Sequence, residues 1–250
     1  MVQYSPDQSV ALSFVIPVYN EEKILEQNTI VLHDFLTHHP CVRGFEILLC
    51  ENGSTDATLP IARRIEARLP NLSVFSLPQQ ALGAAIHEGI QHARHPFFFL
   101  EAIDLPFGLE GIETPIRTII NGYDIVLRSK NHPDSVMNLP ARRRMFTRLY
   151  NSLVCLLFRT SISDMNGGGI FRKSVVENYL DSFREHGPFF QTQLVLYAQL
   201  FTDRICEIPV SYLNPRGDSK MKMRHAFIVL QSLFRELPRY RTYKKRCKTV

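Results

Sequence analysis

The chain has 250 residues, 45% hydrophobic and 21% charged, the composition of a folded globular protein long enough to bury its own core. Its formal charge of +5 is local, because seven basic residues and one acid fall between 235 and 250 and the remainder is near neutral. A basic stretch on a neutral body argues against a nucleic-acid-binding domain, whose charge covers a face of the fold, so no nucleic-acid partner is expected.

No apolar run approaches the roughly 18 residues needed to cross a bilayer. The first basic residue is Lys23, so no charged leader is expected. Five cysteines (Cys41, Cys50, Cys155, Cys206 and Cys247) make an odd count without a C-x-x-C pair. They read as reduced thiols of a cytoplasmic protein, not as a disulfide frame or a zinc site.

In chain order, apolar runs and helical periodicities alternate. Strands are expected over 12–18, 45–50, 72–77, 96–103 and 123–128, with helices over 21–38, from Ser54 and Thr55 toward Leu69, and over 82–93 and 112–121. This pattern predicts a mainly parallel sheet with helices on both faces. In such sheets ligands bind at the carboxyl ends of strands. Those ends are polar here: Tyr19-Asn20-Glu21-Glu22, Glu51-Asn52-Gly53-Ser54-Thr55-Asp56, then Glu101 and Asp104. Three acidic clusters on one rim suit a sugar, a ribose or a cation; helix capping is the plainer alternative for any one of them.

The second half predicts a basic amphipathic helix over 141–158, opening with Arg142, Arg143 and Arg144 and carrying Phe146, Leu149, Tyr150, Leu153 and Leu157. The loop Ser163-Asp164-Met165-Asn166-Gly167-Gly168-Gly169 leads to a short strand over 170–172. Its glycines permit close backbone approach to a ligand, or form a tight turn. A helix over 189–201, a strand over 205–210 and a polar loop over 214–220 follow. The last helix, 222–237, places Phe227, Leu230, Phe234 and Leu237 on one stripe before a basic tail. His87 and His92 are five apart and do not share a helix face, which discounts a zinc-protease reading.

Together these pieces resemble the family-two glycosyltransferases, nearest the dolichol-phosphate mannosyltransferase and polyprenyl-phosphate glycosyltransferase group. The carriers are Val15-Ile-Pro-Val-Tyr-Asn-Glu-Glu22, Glu51-Asn-Gly-Ser-Thr-Asp56, Ala81-Leu-Gly-Ala-Ala85 and Gly122-Tyr-Asp-Ile-Val-Leu-Arg-Ser-Lys130. Ser163-Asp-Met-Asn-Gly-Gly168 with Phe171-Arg-Lys173, and Glu207-Ile-Pro-Val210 with Gly217-Asp-Ser-Lys220, complete them. Each motif alone is weak; their order and spacing are specific. The resemblance implies a GT-A (Rossmann-like) α/β fold over 1–221, followed by an amphipathic helix and basic tail over 222–250. It implies that Pro17, Tyr19, Glu21, Glu51, Gly53, Ser54 and Gly83 bind a nucleotide. It further implies an inverting transfer of a sugar from a nucleotide-diphosphate sugar to a polyprenyl phosphate.

The leaving diphosphate gathers negative charge, which a magnesium or manganese ion or fixed basic groups must meet. The family's D-A-D-L metal motif stands here as Ala102-Ile103-Asp104-Leu105, so the first acid is missing. Asp104 is the first candidate ligand and Glu101 the second, although side chains alternate along a strand and a one-residue shift would need a bulge. Asp104, Asp164, Arg128 and Lys220 are the catalytic candidates; Arg142, Arg143, Arg144, Arg216 and Ser219 are candidates for the acceptor phosphate. Asp164 either ligates metal, orients basic residues or caps a loop. The acceptor's location predicts a protein peripheral on the cytoplasmic face of a membrane, with the helices 141–158 and 222–237 near the interface. The alternatives are a soluble or glycan acceptor, or a non-catalytic nucleotide-binding subunit, which Ala102 favours.

Overall fold

A computed structural model describes residues 9–183, 186–212 and 223–247. The apolar runs form a seven-stranded sheet in the order β3-β2-β1-β4-β7-β5-β8. Its strands are β1 (Val10–Val18), β2 (Val42–Asn52), β3 (Leu72–Leu77), β4 (Phe97–Leu100), β5 (Ile125–Ser129), β7 (Gly169–Arg172) and β8 (Ile205–Pro209). β7 runs antiparallel between β4 and β5, and the remaining pairs are parallel. A small second sheet pairs β6 (Val136–Met137) with β9 (Ser211–Tyr212).

Strand alternation divides the core in two. Leu12, Phe14, Ile16 and Val18 face one helical layer with Ile47, Leu49, Phe99, Val126 and Ile170. That layer is α1 (Leu25–His38), α2 (Thr58–Glu66) and α4 (Glu110–Ile119). Val15, Leu48, Cys50, Phe98, Leu100, Ile125, Leu127 and Phe171 face the other layer. That layer holds α3 (Leu82–His92), α5 (Ala141–Phe158), α6 (Lys173–Glu177), α7 (Phe190–Ala198) and α8 (Met223–Cys247). Burial on both faces is why these strands read as continuous apolar runs.

Two expectations change. The fourth strand ends at Leu100, not at residue 103, although the Glu101 N–H still reaches the Val15 carbonyl at 3.1 Å. The last helix does not stop at Leu237 before a loose tail; it runs through Pro238 to Cys247 and carries most of the terminal basic residues. A proline ordinarily ends a helix at the preceding residue. Here tertiary packing carries it on, because Tyr240 is buried with its ring 5.2 Å from Phe158 and 5.4 Å from Tyr197. Leu233 and Glu236 are buried on the same side, whereas Leu230 and Phe234 are exposed. The Phe227 side chain lies outside the described residues.

At the edge where β5 begins, Asp124 accepts hydrogen bonds from Arg172 Nε and the Thr202 hydroxyl, both at 2.6 Å. This cluster ties β5, β7 and the turn before β8 together, at the end of the sheet away from the polar rim.

Candidate functional site

The strand order sets the site. From β1 the chain winds outward through β2 and β3, then crosses back to place β4 on the other side of β1. The switch point therefore lies between β1 and β4, and such crevices bind ligands in open α/β sheets. The pairing of β1 with β4 ends at Val15 and Leu100, whereas β1 continues beside β2 to Val18 and Glu51. Val15 presents its carbonyl to the β4 side. Pro17 lies two residues on, along the same edge, so its missing N–H falls where no strand remains to pair with it.

The loops leaving β1 and β2 are laced together. The Asn20 N–H donates to Ser54 Oγ at 3.0 Å, and the Thr55 N–H donates to Asn20 Oδ1 at 2.8 Å. The Glu21 N–H donates to Thr58 Oγ1 at 2.8 Å, and the Ala57 N–H to Glu22 Oε2 at 3.0 Å. Asn20 takes the left-handed conformation, φ 51°, which asparagine tolerates better than most residues. Tyr19 and Glu21 are half-buried at this rim.

Glu51 is buried. Its carboxylate accepts from the Ser54 N–H at 2.5 Å and from the Ser76 hydroxyl at 2.6 Å. Gly53 has φ 68°, and a side chain there would meet the backbone of Gln79 and Gln80 at 2.8 and 2.9 Å. Gly83 packs against the chain itself: its N–H donates to the His186 carbonyl at 2.7 Å, and a Cβ would lie 2.7 Å from Phe190. Pro17, Tyr19, Glu21, Glu51, Gly53 and Ser54 thus gather at the ends of adjacent strands, whereas Gly83, in α3, has its neighbours in the segment 186–190.

Beyond β4 the arrangement departs from expectation. Glu101 does not swing out to join Asp104. Its Oε2 accepts from Arg128 Nη1 at 2.5 Å, and its Oε1 from Arg128 Nη2 at 3.1 Å and from the Ala102 N–H at 2.8 Å. The two side chains are 1% and 3% exposed. Arg128 also donates to the carbonyls of Gly167 at 3.0 Å, Leu100 at 3.3 Å and Gly111 at 3.4 Å. Pro115, inside α4, has no N–H for the Gly111 carbonyl four residues back, so the Arg128 contact replaces a helical bond. The guanidinium lies 5.1 Å from the Phe99 ring centre and 4.9 Å from that of Phe107. Arg128 is therefore a buried structural cation and not an open phosphate ligand, and Glu101 is committed to it. Asp104 is half-buried at the rim, just before Leu105, which has φ 44°. Among the described residues no three His, Cys, Asp or Glu side chains lie together as a metal site.

The triple glycine has its reason here. A Cβ on Gly168 would fall 2.6 Å from Arg128 Nη2 and from the Leu100 carbonyl oxygen, and one on Gly167 would overlap the Arg128 backbone at 1.5 Å. The close approach is of chain to chain, so that β7 can enter between β4 and β5 above the buried arginine.

Next to it stands a second cluster. Asp164 is fully buried; its Oδ2 accepts from the Lys130 N–H at 2.9 Å and lies 3.0 Å from the Lys130 ammonium. Its Oδ1 accepts from the Asn166 N–H at 3.0 Å. The Glu207 carboxylate holds the same loop, taking the Ser163 N–H at 2.9 Å and the Asp164 N–H at 3.2 Å. Below, burial pushes the Tyr150 phenol up to about 12, and it shares a hydrogen bond of 2.7 Å with Thr192. Lys130 and Glu207 stand in the sequence as the last residue of the 122–130 motif and the first of the 207–210 motif, which carry the resemblance without assigning either residue a role in the site. Their partners in the fold supply that role. Arg142 and Arg144 are exposed at the start of α5. The Arg143 side chain, Arg216, Ser219 and Lys220 lie outside the described residues.

Comparison with known proteins supplies the context. The profile described as Glycosyl transferase family 2 matches residues 13–180. Glycosyltransferase AglD of Haloferax volcanii is 28% identical over 217 residues, covering 86% of this chain and 35% of its own length. The dolichol-phosphate mannosyltransferase of Pyrococcus furiosus is 24% identical over 230 residues, covering 90% of this chain and 63% of its own. The chain thus spans about a third of the first relative and under two thirds of the second. Among solved structures, glucosyl-3-phosphoglycerate synthase from Mycobacterium tuberculosis with UDP superposes with a TM-score of 0.65 at 15% identity, covering 92% of this chain and 80% of that one. The same enzyme with Mn2+ and UDP-glucose gives 0.63 at 16% identity, covering 90% and 79%. These structures share the fold of a mainly parallel sheet between helical layers. With two thirds of its length matched by that profile, the chain belongs to glycosyl transferase family 2.

Proposed function

We propose that this chain carries the centre of an inverting glycosyltransferase, moving a sugar from a nucleotide-diphosphate sugar to a polyprenyl (dolichol-type) phosphate at the cytoplasmic face of a membrane. The observation that carries it is the Lys130–Asp164 pair, a lysine cation standing on the same rim as the β1–β4 crevice. The Pyrococcus relative and the dolichyl-phosphate β-glucosyltransferase of Trichomonas vaginalis, by their names, support a lipid phosphate as acceptor.

A phosphate monoester is already an anion, so the reaction needs no strong general base, and positioning does most of the work. Lys130 holds the acceptor phosphate; Asp164 keeps Lys130 in place through both its ammonium and its N–H. Arg142, Arg143 and Arg144, with Arg216, Ser219 and Lys220, add charge and hydrogen bonds on the acceptor side. A phosphate oxygen bonds to the anomeric carbon from the face opposite the diphosphate. The bond from that carbon to the diphosphate oxygen breaks, its electron pair leaves on the nucleoside diphosphate, and the configuration inverts. The laced loops after β1 and β2 hold the nucleotide. Magnesium or manganese would shield the diphosphate in a relative with two rim carboxylates. Here Ala102 replaces one acid and Glu101 is tied to Arg128, so the residues present do not fit such a site and no step is assigned to metal.

An exposed apolar row on α5 faces away from the core: Met145, Phe146, Leu149 and Leu156, the last 76% exposed. Leu230 and Phe234 extend the exposed apolar surface on α8, which packs against α5. Arg142, Arg144 and Arg148 are exposed along the same helix. Apolar side chains with flanking arginines fit an anionic lipid surface. No described helix is long and apolar enough to cross a membrane.

The test is transfer of labelled sugar from a panel of nucleotide sugars to vesicles containing polyprenyl phosphate. The expected result is label in the lipid fraction with inverted anomeric configuration. Label on soluble acceptors alone replaces the lipid reading. Nucleotide binding without turnover on any acceptor establishes the non-catalytic reading that Ala102 favours.

A further inference from the structure

We infer that this chain binds its nucleoside diphosphate with little dependence on a divalent cation, because the carboxylate that would complete a metal site is locked into the Glu101–Arg128 pair. The inference rests on the donor-site reading above and deepens it. Hard cations take oxygen ligands, commonly one or two carboxylates plus substrate phosphates. The rim offers Asp104, but two residues upstream stands Ala102, which has no ligand atom. Glu101 is the near substitute, and both its oxygens are spent on Arg128.

Freeing Glu101 would leave Arg128 charged and buried between Phe99 and Phe107. An uncompensated buried charge is strongly disfavoured, so the pair will not open to serve a metal. The arginine is itself fixed from three sides by the carbonyls of Leu100, Gly111 and Gly167. The negative charge of the diphosphate must then be met by fixed hydrogen-bond donors of the protein itself.

The experiment titrates the full chain with UDP and GDP by calorimetry, in manganese, in magnesium and in EDTA. For the wild type, affinity is expected to change less than about threefold among the three buffers. Ala102→Asp restores the missing acid and is expected to acquire a manganese dependence of about tenfold or more, since even outer partners of a metal are worth about ten- to a hundredfold. Manganese EPR supplies a second readout: the free-ion signal of a manganese–diphosphate mixture stays unchanged on adding wild type and falls on adding Ala102→Asp. If Ala102→Asp does not fold, the wild-type titration and spectrum decide alone. Wild-type affinity collapsing tenfold or more in EDTA overturns the inference while leaving the transferase reading intact. If neither diphosphate binds wild type in any of the buffers, both readings fall.

Discussion

Glu101, one residue past β4, and Arg128 of β5 meet at 2.5 Å although β7 lies between those two strands, because the residues just before β7, Gly167 and Gly168, have no side chain where the arginine passes. Breaking such a pair from one side leaves a buried charge. Arg128→Met and Glu101→Leu should each lower stability by about 3–5 kcal/mol. The double variant Glu101→Leu with Arg128→Met should recover most of that loss. Urea denaturation of the four proteins makes the measurement; a double-variant loss equal to the sum of the singles would show no coupling.

Gly168 has φ 68° and no room for a Cβ, whereas Gly108 has φ 62° with nothing within 4 Å. Alanine at 108 pays only the backbone strain, about 1 kcal/mol. Alanine at 168 adds the clash with Arg128 and Leu100, and should cost at least about 2 kcal/mol more. Equal urea midpoints for the two variants would refute the packing account.

Lys130→Met should lower the transfer rate at saturating donor by about a hundredfold or more, as loss of a positioned charge does, while nucleotide affinity changes little. Lys130→Arg should restore part of the rate. A Lys130→Met enzyme with wild-type turnover would remove this residue from the acceptor side.

Phe146→Ser with Leu149→Ser should weaken binding to anionic vesicles by at least about tenfold, given the apolar area the two side chains would bury in lipid. Both are exposed, so the melting temperature should not fall. Vesicle pelleting and a thermal melt read the two effects separately, and undiminished pelleting would move the membrane contact elsewhere.

Burial works against ionising Asp124, but hydrogen bonds from Thr202 and Arg172 and the charges of Arg172 and Arg204 outweigh it and hold its carboxyl below the ordinary value. A carboxyl depressed on folding stabilises the protein above its unfolded pKa, near 3.9. That contribution is lost as the pH falls through the lower folded value. Asp124→Asn should therefore be less stable than wild type at neutral pH, with the difference shrinking below about pH 4. Parallel stability-versus-pH curves for the two proteins would contradict this.

The sequence by itself determined the alternation of strand and helix, the polar rim and the family. These are written in local periodicity, in turn residues and in motif spacing, and local patterns are legible without coordinates. It also showed that Ala102 breaks the acid pair. Tertiary structure decided where charge goes. Glu101 and Arg128 are 27 residues apart, and their mutual neutralisation depends on β7 lying between their strands. The same holds for the glycines, which admit a neighbouring strand and an arginine, and for the helix that continues past Pro238 because Tyr240 finds a buried seat. Each outcome turns on which distant groups become neighbours, a property of the folded topology that no window of sequence contains.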